Sequence, residues 1–254
     1  MAVKLQYASD LHIEFPENKE FLRKNPLVPE GEVLVLAGDI VPFSLMNRHK
    51  DFFNRLSDDF ETTYWIPGNH EYYHGDLTDR AGTMNEKLSS NLFLVNNTSV
   101  VHKGIQMVFS TLWSNISPWC QWQVEKRLND FHLIKYNGYR LSAERYNQLH
   151  AESMLFIRQL LKDKRNEKTA VFTHHVPTFM NYPEQYKGDV LNDAFAVELY
   201  DLIADSDIDS WVYGHIHSNT PEFSIGKTRM LTNQLGYVQS GEHARFSSTK
   251  CIEL

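Results

Sequence analysis

The sequence predicts an α/β fold of two stacked, mixed β-sheets with helices packed outside them. Three observations carry this. Strand-like apolar runs alternate with helically spaced segments through the N-terminal part. Later segments pair as hairpins, which calls for a second sheet that is at least partly antiparallel. Five apolar runs each end in a short polar motif, as expected of strands whose carboxyl ends open onto a crevice.

Residues 3–8 form the first strand, with Val3, Leu5 and Tyr7 alternating with Lys4 and Gln6. Val33–Ala37 is the second and Thr62–Ile66 the third. Between them a helix is expected from about Ser44 to Leu56, where Leu45, His49, Phe52, Phe53 and Leu56 fall near helical spacing. Residues 76–88 read as another helix, with Asp76 as its N-cap. Short strands follow at 92–94, 100–102 and 105–111, the last two joined by a hairpin turn at Lys103-Gly104. From Trp113 to about Gly138 the periodicity is lost: Trp113, Trp119 and Trp122 crowd together with Pro118 and Cys120. A long amphipathic helix begins after Ser142, its expected N-cap, with Leu149, Leu155 or Phe156, Leu160 and Leu161 on one face, and the charged run 162–168 ends it. Residues 169–173 are a strand, 180–188 a loop, 194–204 a helix and 210–213 a strand. The tail holds strand-like pieces at 228–231 and 250–253.

With 254 residues and 42% hydrophobic composition, the chain is long enough for one large domain with a full core. We expect a single domain over 1–254, with a cap or insertion at about 113–139. Lys+Arg of 25 against Asp+Glu of 32 gives a net charge of −7, which disfavours a broad nucleic-acid-binding face. A small anionic substrate remains compatible, because bound metals invert the sign locally. Cys120 and Cys251 have no metal-type spacing, so neither a disulfide framework nor a thiolate site is indicated. No basic-then-apolar leader precedes the first strand, and no apolar run reaches the roughly 20 residues needed to span a bilayer. A cytoplasmic protein without membrane partners is the expectation.

The five motifs are Asp10-Leu11-His12, Gly38-Asp39, Gly68-Asn69-His70-Glu71, His174-His175 and Gly214-His215-Ile216-His217. On an extended segment, positions i and i+2 share a face, so Asp10 and His12 would point together, as would His215 and His217. If His217 joins Asp10 and His12 on one cation, His215 reaches toward a second. Asp39 is the natural bridge, since a carboxylate has two oxygens and Gly38 lets the backbone approach closely. Asn69 supplies a neutral carbonyl oxygen. A mixed imidazole and carboxylate set without thiolate suits Mn, Fe or Zn better than Mg or Ca. Each motif alone is weak; all five in this order, each after an apolar run, point to a two-metal site.

The series resembles the calcineurin-like metallophosphoesterase superfamily, with its ordered boxes D-x-H, G-D, G-N-H-D/E, H and G-H-x-H. The match runs from Asp10 to His217. The resemblance implies a four-layer αββα sandwich and a dinuclear metal site at the strand ends. It assigns Asp10, His12, Asp39 and His217 to one metal, and Asp39, Asn69, His174 and His215 to the other. His174 is preferred over His175 because the run 170–173 leads straight into it; His175 would then face substrate or a core hydrogen bond. The resemblance makes His70 a non-ligand that stabilises or protonates the leaving oxygen. Two cations about 3.5–4 Å apart can clamp both oxygens of an in-line displacement and ionise a bound water near pH ~7. Such a hydroxide would attack phosphorus while His70 acts as general acid. Glu71 is expected to satisfy backbone donors or orient neighbours.

Departures narrow the substrate. Protein serine/threonine phosphatases carry an Asp three residues after the Gly-Asp aspartate, where this chain has Pro42, and an Arg soon after Gly-Asn-His-Glu, where it has Tyr72 and Tyr73. Purple acid phosphatases use a Tyr ligand near the bridging Asp, and residues 40–43 offer none. The chain resembles the broad bacterial-type phosphoesterase branch. We therefore expect hydrolysis of a small or nucleotide-like phosphomonoester or phosphodiester, with two metal ions (Mn, Fe or Zn) as cofactors. Specificity is expected in residues 113–139. Tyr72, Tyr73, His74 and the tryptophans would either line a pocket or pack the core. The competing readings are a catalytically silent scaffold of the same fold, which should have lost ligands that this chain keeps, and a nuclease, which the acidic balance disfavours.

Overall fold

The strand Val33–Ala37, inside its sheet, is apolar and buried at every position because both of its faces are covered. The computed structural model describes residues 3–162 and 168–254, so most of the charged run expected to end the long helix lies outside the described residues. In chain order the elements are β1 (Lys4–Ala8), α1 (Pro16–Lys24), β2 (Val33–Ala37), α2 (Lys50–Asp59), β3 (Thr62–Ile66), β4 (Met84–Lys87), β5 (Leu92–Asn96), β6 (Thr98–His102) and β7 (Ile105–Ser110). Then come α3 (Gln121–Arg127), α4 (Asp130–Leu133), β8 (Lys135–Tyr136), β9 (Tyr139–Arg140), α5 (Ala143–Lys162), β10 (Lys168–Thr173), α6 (Tyr200–Ala204), β11 (Ser210–Val212), β12 (Phe223–Ile225), β13 (Thr228–Leu231) and β14 (Cys251–Glu253).

Among the described residues the strands make two six-stranded mixed sheets, ordered β14-β1-β2-β3-β5-β4 and β12-β13-β11-β10-β7-β6, besides the small hairpin β8-β9. β1, β2, β3 and β5 run parallel, as do β7, β10, β11 and β13. Antiparallel strands close the edges. Alternate residues explain the layering. Val33, Val35 and Ala37 of β2 face Ile105, Met107 and Phe109 of β7 between the sheets. Leu34 and Leu36 face the other way, onto Leu22 of α1 and Phe53 and Leu56 of α2. On the far side, Val108, Val171 and Trp211 pack against Met154 and Ile157 of α5 and Ile203 of α6. The result is helix, sheet, sheet, helix, the expected four layers.

Several local expectations are corrected. Residues 76–88 are not one helix. Asp76 does cap, its carboxylate accepting from Thr78 N at 2.9 Å, but only a 3₁₀ turn over Leu77–Arg80 follows. Gly82, at φ +74°, breaks the chain away from helical geometry, and 84–87 then add to β5 as edge strand β4. The helix expected over 44–56 is a 3₁₀ turn, Phe43–His49, running into α2. That expected over 194–204 is a 3₁₀ turn, Val190–Ala194, and the short α6. On α5 the buried face is Tyr146, Leu149, Ser153, Met154 and Ile157; Leu155 is 60% exposed, and Phe156 packs partly inward. α1 has no counterpart among the sequence expectations, although Pro16 at its start, Glu17 in its first turn and Arg23 and Lys24 in its last are ordinary helix signals.

The segment expected as an insertion folds as α3, α4 and β8, over a core of Trp113, Val124, Phe131 and Tyr146. Trp113 is therefore buried packing, whereas Trp119 and Trp122 stand 85% and 70% exposed. Among the described residues no helix is long and apolar enough to cross a membrane.

Candidate metal centre

Every motif lies just beyond the carboxyl end of a parallel strand, and the backbone there is not extended. Asp10 and His12 follow β1 at φ +55° and +45°, Asp39 follows β2 at +56°, and His215 and His217 follow β11 at +74° and +49°. The strand arithmetic that paired positions i and i+2 therefore does not apply. Left-handed turns aim these side chains instead, a conformation that Asp and His adopt more readily than bulky residues. Each such residue costs on the order of 1–3 kcal/mol, and strain of this kind gathers where the surrounding structure over-determines it, commonly at functional sites. Here the turns are pinned by backbone bonds from Asp10 N to Gly38 O (2.9 Å), His12 N to Asp39 O (3.0 Å) and Gly214 N to His174 O (3.0 Å).

The turns converge on two groups of donors. Asp10, His12, Asp39 and His217 each bring one ligand atom within 4.8 Å of the others, and Asp39, His174 and His215 do the same. Asp39 belongs to both: Oδ2 lies 3.7 Å from His12 Nε2 and Oδ1 lies 3.3 Å from His174 Nε2. Asn69 Oδ1 joins the second group, 3.2 Å from His174 Nε2. Two glycines make room. A Cβ on Gly68 would lie 2.2 Å from Asp39 Oδ1, and one on Gly38 2.2 Å from His174 Nδ1.

The donor chemistry fits cations. His12 Nε2 and His217 Nε2 face each other at 2.9 Å, and His174 Nε2 faces His215 Nδ1 at 3.1 Å. One proton can serve such a pair, but two lone pairs aimed at a shared point suit a metal better. The outer ring nitrogens are held by acceptors: His12 Nδ1 by Glu14 (3.2 Å), His217 Nδ1 by Glu242 (2.8 Å) and His174 Nδ1 by Ala37 O (3.0 Å). Such partners fix the tautomer and ring orientation of a ligating histidine.

Protonation follows the same crowding. Burial raises the Asp39 carboxyl, yet His174, His70 and His12 outweigh it and hold it well below the ordinary carboxylate range. Burial pulls His174 and His217 down, but the neighbouring carboxylates carry them up to about 9 and about 10. His12 and His215 stay low, chiefly through burial. A cation bound here would displace those protons.

His70 lies outside these two groups, but with His12 and Glu14 it forms a third set whose ligand atoms also lie within 4.8 Å of one another. Its backbone N donates to Asp39 Oδ1 at 2.9 Å, and its Nδ1 pairs with Glu14 Oε1 at 3.3 Å. Its ring stacks on Tyr73, centroids 4.1 Å apart and 27° between planes. Burial lowers its pKa, but Asp39, Glu14 and Asp130 reverse that to a net rise. Glu71 is buried and takes four donors: Asp39 N, Ile40 N, Gly68 N and Trp65 Nε1. The His175 ring packs on His215, centroids 4.2 Å apart, but both its nitrogens are spent in the core, Nδ1 on Thr111 O (3.2 Å) and Nε2 on the Tyr146 hydroxyl (3.1 Å).

A cavity of about 370 Å³ opens over the centre, with Asn69, His70 and His217 in its floor and Tyr73, Arg127 and Tyr182 in its walls. A larger cavity of about 550 Å³ lies elsewhere, between α5 and α6, and contains none of the motif residues. Glu14, Asp130, Tyr237 and Glu242 contribute to the centre without having been singled out from the sequence. Glu14 had a signal, two positions beyond His12; the others arrive only by tertiary contact.

A sequence model described as calcineurin-like phosphoesterase matches residues 7–219. An uncharacterised protein of Acanthamoeba polyphaga mimivirus is 32% identical over 278 residues, covering 98% of this chain and 96% of that protein. Among solved structures, the phosphopantetheinyl hydrolase of Mycobacterium tuberculosis aligns over all of this chain and 96% of its own, with a TM-score of 0.70 at 16% identity, a likeness of fold. A dimetal phosphatase from Danio rerio aligns over 91% of this chain and 87% of its own, with a TM-score of 0.47 at 14% identity.

Proposed function

The chain belongs to the calcineurin-like phosphoesterase family, and from that premise we propose that it hydrolyses a small or nucleotide-like phosphomonoester or phosphodiester at a dinuclear metal centre. The observation that carries the reading is Asp39, whose two oxygens are divided between two groups of imidazole and carboxylate donors. Asp10, His12, Asp39 and His217 would hold one ion, and Asp39, Asn69, His174 and His215 the other. A donor set of nitrogen and oxygen without thiolate suits Mn, Fe or Zn. Such ions, when bound, polarise phosphoryl oxygens and acidify a bound water.

The chain's own residues supply the rest. His70 faces the cavity beside the centre, its Nδ1 engaged by Glu14, which leaves Nε2 to hold the proton for the leaving oxygen. Tyr73 keeps that ring in plane by stacking. The cavity is of the size that takes a small ligand rather than a folded protein surface. Arg127, which pairs with Asp189 of the same cavity at 3.3 Å, and Tyr182 support recognition of an anionic substrate with a planar or apolar body, the anion competing with Asp189 for the guanidinium. We treat 1–254 as one unit, with 113–139 as an insertion contributing Arg127 to the cavity.

The test is hydrolysis of p-nitrophenyl phosphate and its bis ester by protein loaded with Mn²⁺. Metal-dependent turnover of at least one is expected. His70→Asn should keep both metals while turnover falls by about 10²–10⁴. Bound metal with no turnover of either ester would count against the enzyme and favour a silent scaffold.

A further inference from the structure

The insertion reaches the metal centre through one buried carboxylate. Asp130, the first residue of α4, has no exposed surface. Its Oδ1 accepts from Asn69 Nδ2 at 2.9 Å and from the Tyr73 hydroxyl at 2.8 Å, while among the described residues its Oδ2 has no hydrogen-bond partner. Both of these donors matter to the site. Asn69 belongs to the second donor group, and the Tyr73 ring lies against His70.

An asparagine amide is nearly symmetric in shape and can present either its oxygen or its NH₂ to a given point. Only the oxygen can serve a cation. A carboxylate behind Asn69 resolves the choice, because it accepts hydrogen bonds and donates none when ionised. The NH₂ turns to Asp130, and Oδ1 is left facing His174 Nε2 at 3.2 Å. Reversed, the amide would set oxygen against carboxylate and N–H against the cation site. The second bond works on the acid: with its hydroxyl held by Asp130, the Tyr73 ring forms a fixed wall for His70, opposite the hold of Glu14 on Nδ1.

We propose that Asp130 is a positioning residue. It fixes the amide orientation of the metal ligand Asn69 and, through Tyr73, the ring plane of His70, so that the insertion must be folded for the centre to be complete. This rests on the two-metal reading of the site. Asp130 is not among the residues lining the cavity and would act through Asn69 and Tyr73.

The experiment is a Mn²⁺ titration of metal-free protein, followed by calorimetry and by the spin signal of free Mn²⁺. Asp130→Ala should weaken one of two Mn²⁺ sites by about 10–100-fold, the usual effect of removing a partner behind a ligand, and leave the other unchanged. Asp130→Asn should restore affinity to near the wild-type value: with Asn69 Oδ1 on the cation, Asn69 Nδ2 and the Tyr73 hydroxyl both aim donors at one atom of residue 130, which selects the amide carbonyl over the NH₂. Tyr73→Phe should keep both affinities, yet lower kcat on p-nitrophenyl phosphate with KM unchanged. Wild-type affinity at both sites in Asp130→Ala overturns the proposal, as does Asp130→Asn binding as weakly as Asp130→Ala. Should Asp130→Ala fail to fold, unchanged kcat in Tyr73→Phe overturns the His70 half, and a tenfold loss of affinity in Asp130→Asn overturns the Asn69 half. Affinity is read without turnover, so a wild-type protein that binds two Mn²⁺ and cleaves nothing refutes the phosphoesterase reading separately.

Discussion

Glu71 ties the loops after β2 and β3 together by accepting from Asp39 N, Ile40 N, Gly68 N and the Trp65 indole, none longer than 3.1 Å. Burial raises its carboxyl, with Asp39 adding to the rise, while the backbone donors of Ile40 and Gly68 and His174 oppose it. Removing such an acceptor strands buried N–H groups, each worth about 1–3 kcal/mol. Glu71→Ala should therefore lower unfolding free energy by about 3 kcal/mol or more in urea denaturation. It should also weaken metal binding, because Asp39 and Gly68 lose their common anchor. A change under about 1 kcal/mol would show that water replaces the carboxylate at little cost.

Among elements, α5 is the clearest case of an amphipathic helix whose apolar stripe had to be assigned residue by residue. Leu155 and Ile157 are both large and apolar, but the first is 60% exposed and the second fully buried against Val108 and Trp211. Ile157→Ala should cost about 2–5 kcal/mol through lost burial and the cavity it leaves. Leu155→Ala should stay within about 0.5 kcal/mol of wild type. Equal losses would place the helix one position round from where the contacts put it. The edge strand β4 makes the opposite point about elements. Its residues read as helical in spacing, yet Gly82 and the open edge of β5 decide for a strand.

At the scale of the whole molecule, the candidate centre lies between two sheets, and its candidate ligands come from loops of both. β1, β2 and β3 deliver Asp10, His12, Asp39 and Asn69 from one sheet; β10 and β11 deliver His174, His215 and His217 from the other. A cation held across that seam binds the folded chain far better than the unfolded one. Mn²⁺ at 100 times its Kd should add about 2.7 kcal/mol, raising Tm by roughly 5–10 °C for a chain of this length. A chelator should reverse the rise in the same thermal scan. No shift at saturating metal would mean that the seam contributes nothing to binding.

The reading from sequence succeeded where the physics is local. A run such as Val33–Ala37 can bury both faces only inside a covered parallel sheet, and a polar Asp or His at its end marks the crevice. The second sheet followed from the later hairpins, whose short strands pair antiparallel. It failed where spacing is ambiguous, at 76–88, and where extended geometry was assumed for residues that sit in left-handed turns. What the chain determined by itself is which donors exist and at which strand ends. Only the tertiary structure decided how they are aimed and held: Glu242 meets His217 across 25 residues, and Asp130 meets Asn69 across 61. Periodicity carries information over a few residues along the chain, whereas hydrogen bonds of this kind depend on where the packed sheets and residues 113–139 bring distant segments together.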